Sequence, residues 1–265
     1  MIAFLLAAIP PVPTPPSLFT PTPAPISERA VLESGLGDAA ARAKTLGGTL
    51  GVTIVDITTG ATSSIGGDAN LPMAGVQHLP IALLVYRAID AGHLAMTRDV
   101  HGLLSRMLDN DDDGAADTLL DQLGGSEAAN AQLRAIGYQA IFLVPNDAGY
   151  ATPAALAGLL SDIVEGKLLT GPSTKALLAQ LSGVGAAPAR LRAGFSNVAL
   201  AHVPGTLSGG DGTNIATNDV GVASVNGRTF IVAAMLQGAH GSDASRDAII
   251  AAIGQLAVRV TSLNP

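Results

Sequence analysis

From Ser27 onward the chain alternates between helical and strand periods. Ser27 and Glu28 open a helical pattern that runs to about Leu46. Leu50, Val52 and Ile54 then alternate with Gly51 and Thr53, and beyond Thr58-Thr59-Gly60 a second alternating segment ends near Ile65, which predicts a β-hairpin. Over 76–91, Val76, Leu79, Leu83 and Tyr86 fall at helical spacing, with Pro80 within the first turn or two, where a missing N–H is tolerated. An Ala/Leu-rich region over 97–181 keeps helical spacing between glycine breaks. Strand periods return at 198–202, 219–225 and 230–236, the last two joined by Asn226-Gly227, a type I′ hairpin signal. Ile249, Ile253, Leu256 and Val260 form the stripe of a closing helix, with Ser242 or Ser245 to cap it.

The order helix, hairpin, helical block, three strands, helix predicts a two-lobed α/β protein of the α+β type. An antiparallel sheet is completed by both ends of the chain and flanked by the N- and C-terminal helices, and an all-helical lobe is inserted between them. The expected boundaries are one domain over 27–265, with a sheet lobe over about 27–70 and 197–265 and a helical lobe over about 71–196.

Residues 1–26 do not fit a core. The apolar run over 2–9 is too short for a bilayer, which needs about 20 residues, and reads as the hydrophobic part of a signal peptide, although no Lys or Arg precedes Arg29. The Pro/Thr/Ser run over 10–25 favours an extended spacer. The mature protein is thus expected in the periplasm or outside the cell, with no transmembrane helix.

Composition narrows the chemistry. In 265 residues, 14 Lys and Arg face 21 Asp and Glu, a net charge of −7 that argues against nucleic acid as a partner. The absence of cysteine excludes disulfides, thiolate nucleophiles, Cys-ligated zinc and iron–sulfur clusters. With no Trp and 3% aromatics, stacking platforms for bases or sugars are poorly supplied.

Four segments carry a family resemblance: Pro72-Met73-Ala74-Gly75-Val76-Gln77-His78-Leu79-Pro80, the run from Met107 through Asp111-Asp112-Asp113-Gly114-Ala115-Ala116 to Asp117, Thr152-Pro153-Ala154-Ala155, and Ala201-His202-Val203-Pro204-Gly205-Thr206. In order and spacing they resemble class A β-lactamases and related penicillin-binding serine hydrolases, over nearly everything from Ser27 to Val260. That resemblance implies a nucleophilic Ser and a Lys in Ser-x-x-Lys at the start of a helix, a Ser-Asp-Asn loop in the helical lobe, and Lys-Thr-Gly on a sheet strand.

The residues at those positions contradict the chemistry. Gly75 stands in place of the nucleophile and His78 in place of the Lys, so no hydroxyl can form an acyl-enzyme. Ser-Asp-Asn reads Asp111-Asp112-Asp113, and Lys-Thr-Gly reads Val203-Pro204-Gly205. The segment before Val144-Pro145-Asn146-Asp147 holds no Glu for a deacylating base. No catalytic residue is therefore assigned, and a ligand pocket is expected at Gly75, His78, Asp111, Asp112, Asp113, Pro204, Gly205 and Thr206, with Val203 a further degenerate position.

The formal charge change at these positions is −1−1−1−1 = −4 (Lys to His78 and to Val203, Ser to Asp111, Asn to Asp113). A like charge at about 5 Å costs roughly 3 kcal/mol at an effective dielectric near 20, which favours a neutral or cationic envelope ligand, or a basic segment of a partner, unless Arg228 or Arg246 reaches the pocket. The reading is a pseudoenzyme of the cell envelope needing no cofactor. The alternatives are a serine-type β-lactam hydrolase by descent, and a calcium-dependent module in which Asp109, Asp111, Asp113 and Asp117 occupy calcium-loop positions, with Leu120 at the twelfth where a bidentate Glu belongs. Within the resemblance, Asp113 is expected to cap a helix and Asp117 to favour its first turn. Ser63, Ser64, Ser105 and Ser208 stand in no nucleophile motif, and His93, His101 and His240 have no metal spacing.

Overall fold

The computed structural model describes residues 27–146, 149–184 and 188–263. The expected signal segment and spacer over 1–26, and Asp147, lie outside the described residues.

Ser27 accepts a hydrogen bond from the Ala30 N–H and so caps α1 (Glu28–Thr45). The predicted hairpin follows as β1 (Thr49–Asp56) and β2 (Ala61–Ile65). A two-residue strand, β3 (Leu71–Pro72), leads into a 3-10 turn over Ala74–Gln77 and then α2 (His78–Asp90), in which Pro80 sits in the first turn as expected. The central block comprises α3 (Arg98–Asn110), α4 (Asp113–Gln122), α5 (Gly125–Ala135), β4 (Ile141–Phe142), β5 (Tyr150–Ala151), α6 (Pro153–Val164), α7 (Gly171–Ser182) and the short α8 (Leu191–Gly194). The chain closes with β6 (Leu200–Ser208), β7 (Asn214–Val225), β8 (Arg228–Gln237) and α9 (Asp243–Thr261), whose cap is Ser242.

The main sheet is antiparallel throughout, in the order β2-β1-β8-β7-β6, so the strands from the two ends of the chain meet at the β1–β8 pair. Asn226 and Gly227 both take positive φ, 50° and 79°, the type I′ geometry the sequence predicts. The expected fold class is what forms, with one difference. β3, β5 and β4 pair into a small sheet inside the helical block, and two-residue strands leave no period for a sequence to display.

Period-two alternation gives the main sheet two apolar faces. On β8, Val232, Ala234 and Leu236 pack with α1, α8 and α9, while Ile231, Ala233 and Met235 join the core of the helical lobe. α2 runs through the middle of that lobe, buried continuously from His78 to Tyr86. β6 is an edge strand, and its far end lies against the 3-10 turn that opens α2. Among the described residues no helix is long and apolar enough to cross a membrane.

Candidate functional site

The turn that presents Gly75 and His78 is held from the sheet. The Asn218 amide, fully buried on β7, donates to the Pro72 and Met73 carbonyls at 2.8 and 2.7 Å and accepts from the Leu236 N–H. Ala74 takes φ +52°, a left-handed conformation that costs a non-glycine residue about 1–2 kcal/mol. Strain of this kind concentrates where a fold is built around a site. β6 approaches the turn so closely that a Cβ on Gly205 would lie 2.6 Å from the Val76 nitrogen and 2.7 Å from that of Gly75.

Gly75 is confined in the same way, but by a side chain. A Cβ there would lie 2.2 Å from Asp111 Oδ1 and 3.2 Å from the Pro204 carbonyl oxygen. The carboxylate at the Ser-Asp-Asn position therefore fills the room where a side chain at the nucleophile position would begin. The two substitutions are sterically linked, which two separate motifs in a sequence do not reveal.

Asp111 reaches that place because it ends α3 in the left-handed region, at φ 55° and ψ 42°. The next residue is then extended, and Asp112 caps α4 by accepting from the Ala115 N–H at 3.0 Å, with Arg106 Nε 3.2 Å away. The cap is thus Asp112, where the sequence suggested Asp113, which lies in the first turn. Asp117 sits mid-helix and accepts from the Asn146 N–H. Only Asp111 and Asp112 lie between α3 and α4, so the run does not form the twelve-residue loop of a calcium hand.

His78 is 1% exposed. Its Nδ1 lies 3.4 Å from Asp111 Oδ1 and its Nε2 3.7 Å from Asp113 Oδ1, while both carboxylates are about half exposed, at 53% and 51%. Beside them opens a cavity of about 280 Å3 lined by His78, Asp109, Asp111, Val203 and Pro204 of the residues singled out above, and by Leu108, Asn110, Val184 and Pro188. Burial pushes the Asp109 carboxyl above its ordinary range, against the pull of His101. Among the described residues lining this cavity there is no hydroxyl, amine or guanidinium side chain. Ser63 and Ser64 line a different cavity, between α1 and the β1–β2 hairpin.

Thr206 turns to the structure behind β6. Its hydroxyl accepts from Arg190, whose buried guanidinium also donates to the Gly205 and Asn218 carbonyls at 2.8 Å and to Asp247 on α9 at 2.7 Å. On the same strand His202 is fully buried. Its Nε2 accepts from Arg192, leaving Nδ1 to donate to Asp219 at 2.9 Å. Neither Arg190 nor Arg192 carries a local sequence signal, since each acts on groups brought up by distant strands. Arg228 and Arg246 do not serve the cleft. Arg228 pairs with Glu28 and Asp56, and Arg246 donates to the Gly241 carbonyl and to Asp243.

Comparison with known proteins places this geometry. Residues 96–261 match the model of a β-lactamase enzyme family. The chain is 24% identical over 249 residues to the β-lactamase VEB-1 of Pseudomonas aeruginosa, covering 78% of this chain and 83% of that one. It is 27% identical over 254 residues to the carbapenem-hydrolysing β-lactamase KPC of Klebsiella oxytoca, covering 82% and 86%. Among solved structures, a β-lactamase from Chitinophaga pinensis superposes with a TM-score of 0.80 at 21% identity, covering 86% of this chain and 99% of that one. An ancestral class A β-lactamase superposes with a TM-score of 0.77 at 28% identity, again covering 86% and 99%.

Proposed function

This chain belongs to the β-lactamase enzyme family, and from that premise we propose that it is a member that has lost acyl transfer and works as an extracytoplasmic binding protein of the cell envelope, its cleft taking a neutral or cationic ligand. One observation carries the reading: Asp111 Oδ1 fills the space where a side chain on Gly75 would start. Among the described residues lining the cavity there is no hydroxyl to form the acyl-enzyme of the serine enzymes and no lysine to relay its proton. The export reading is supported by the apolar run over 2–9 and the Pro-rich run over 10–25.

The cleft's charge supports the ligand class. Two carboxylates face His78, and among the described residues no lysine or arginine lines the cavity. Because both are about half exposed, solvent screens them, and the penalty on an anionic ligand falls from the roughly 3 kcal/mol of a partly buried charge to about 1 kcal/mol each. β-Lactams carry a carboxylate and meet that penalty. An amine-bearing peptidoglycan fragment, or a basic segment of a partner, does not.

The second reading, a β-lactam hydrolase by descent, is favoured by the names of the relatives, one of which is carbapenem-hydrolysing. A fluorescent penicillin followed by intact-mass measurement separates the two. The expected result is no covalent adduct, and no turnover of a chromogenic cephalosporin above the buffer blank. An adduct of penicilloyl mass sinks the proposal. So does turnover that survives repurification and disappears in His78→Ala.

A further inference from the structure

We propose that His78, Asp111 and Asp113 bind a divalent transition-metal ion at the mouth of the cleft. This deepens the anionic, non-acylating reading of the same site and rests on it. One donor atom from each residue lies within 4.8 Å of the other two. Two half-exposed carboxylates alone would be an ordinary acidic surface. The imidazole changes that, because it is 1% exposed, part of the lining of a concave cavity, and has a carboxylate oxygen off each ring nitrogen, at 3.4 and 3.7 Å. An ion takes only one of the two ring nitrogens, so the donor set is that nitrogen with one oxygen from each carboxylate, all within 4.8 Å of one another. Ligand atoms around a tetrahedral ion with bonds of about 2.0–2.2 Å sit roughly 3.3–3.6 Å apart, so the half-exposed carboxylates must swing in by up to about 1 Å to share one ion.

The backbone fixes the donor set. Asp112 turns away to cap α4, which leaves its two neighbours in sequence, Asp111 and Asp113, both facing His78. Gly75 is part of the device, since a Cβ at that position would collide with the Asp111 oxygen.

The chemistry of the donors selects the ion. One imidazole and two carboxylates suit Zn2+ or Mn2+, whereas Ca2+ and Mg2+ prefer all-oxygen shells of six or more ligands. Three protein ligands would leave a coordination position for water or for a ligand group. A bound ion would also offset the two carboxylates. The charge preference of the cleft argued above is therefore that of the metal-free protein.

The test is calorimetric titration of the untagged, EDTA-stripped full chain with ZnCl2 and MnCl2, with CaCl2 as comparison. The expected result is saturable Zn2+ binding at a stoichiometry near one, weakened at least tenfold in Asp111→Asn and in Asp113→Asn, with little response to CaCl2. Both side chains are half exposed, so these variants should fold, which circular dichroism checks. In a parallel NMR experiment, substoichiometric Mn2+ should broaden the His78 ring signals before those of His93, His101, His202 and His240. No saturable binding, affinity unchanged in both variants, or broadening that spares His78 overturns the proposal. Failure here is distinct from failure of the non-acylating reading, which is decided by the penicillin adduct measured on EDTA-treated protein.

Discussion

A carboxylate oxygen stands where the Gly75 side chain would begin, and that contact decides how the lost chemistry can be restored. Gly75→Ser with His78→Lys returns a hydroxyl and an amine to their family positions, but the new Cβ meets Asp111 Oδ1, and Val203 and Pro204 remain on the strand. Positioned charges and donors usually contribute the largest catalytic term, so this double variant should give no burst of acylation with a chromogenic cephalosporin. Overpacking of this kind costs typically 1–3 kcal/mol, with the lower end fitting a carboxylate that is half exposed and can swing aside. Adding Asp111→Ala should recover most of that loss in urea denaturation. Equal stability with and without the third change would show that the contact is not strained. Sequence made the identities at these positions legible, because flanking residues such as Met107 and Pro80 anchor the comparison. It could not show that Gly75 and Asp111 compete for one volume, which depends on the left-handed turn at Asp111.

Among the elements, those with long periods were readable and those fixed by single contacts were not. α1, the β1–β2 hairpin, the Asn226-Gly227 turn and α9 follow from capping residues and repeated apolar spacing. β3, β4 and β5, two residues each, are held by backbone pairing and by Asn130, whose side chain both donates to the Leu143 carbonyl and accepts from its N–H. The α3–α4 junction depends on which of three consecutive aspartates takes the extended cap conformation, a choice local pattern does not encode. That choice is measurable. Asp112→Ala should cost about 1 kcal/mol of stability through the lost cap, with little from the exposed Arg106 pair. Asp113→Ala should cost a few tenths at most. The reverse ranking in denaturant melts would return the cap to Asp113.

At the scale of the whole molecule, hydrogen-bonded acids tie together segments far apart in sequence, and they set its response to pH. Burial pushes the Asp56 carboxyl up, but hydrogen bonds from Arg228, Thr59 and Thr58 outweigh it and hold it below its ordinary value. Asp90 is held low against burial by Ser173 and Thr170, and Asp162 by Tyr138 and Lys167. A carboxylate whose folded pKa is lowered contributes stability above its unfolded pKa, near 4, and that contribution is lost as pH falls through the folded value. Urea midpoints should therefore fall below about pH 4. Asp56→Asn should be less stable at neutral pH and show a shallower acid limb. An acid limb of unchanged slope in that variant would remove Asp56 from the account.

Pro204 also has a bearing on what the outer border of the sheet can recruit. Border strands are templates on which foreign chains extend a sheet, through rows of unsatisfied amides. The Pro204 carbonyl points at the 3-10 turn, not at β7, and the residue brings no amide hydrogen to that rim. A proline on a border strand blunts templating, so β6 is guarded against fibril-like self-association beside the cleft. For the same reason a polypeptide guest laid along β6 finds no main-chain donor at Pro204, which weakens zipping as a sixth strand, the mode of sheet-extending recognition modules. Beside the cleft, the reading of such a guest then shifts toward its side chains.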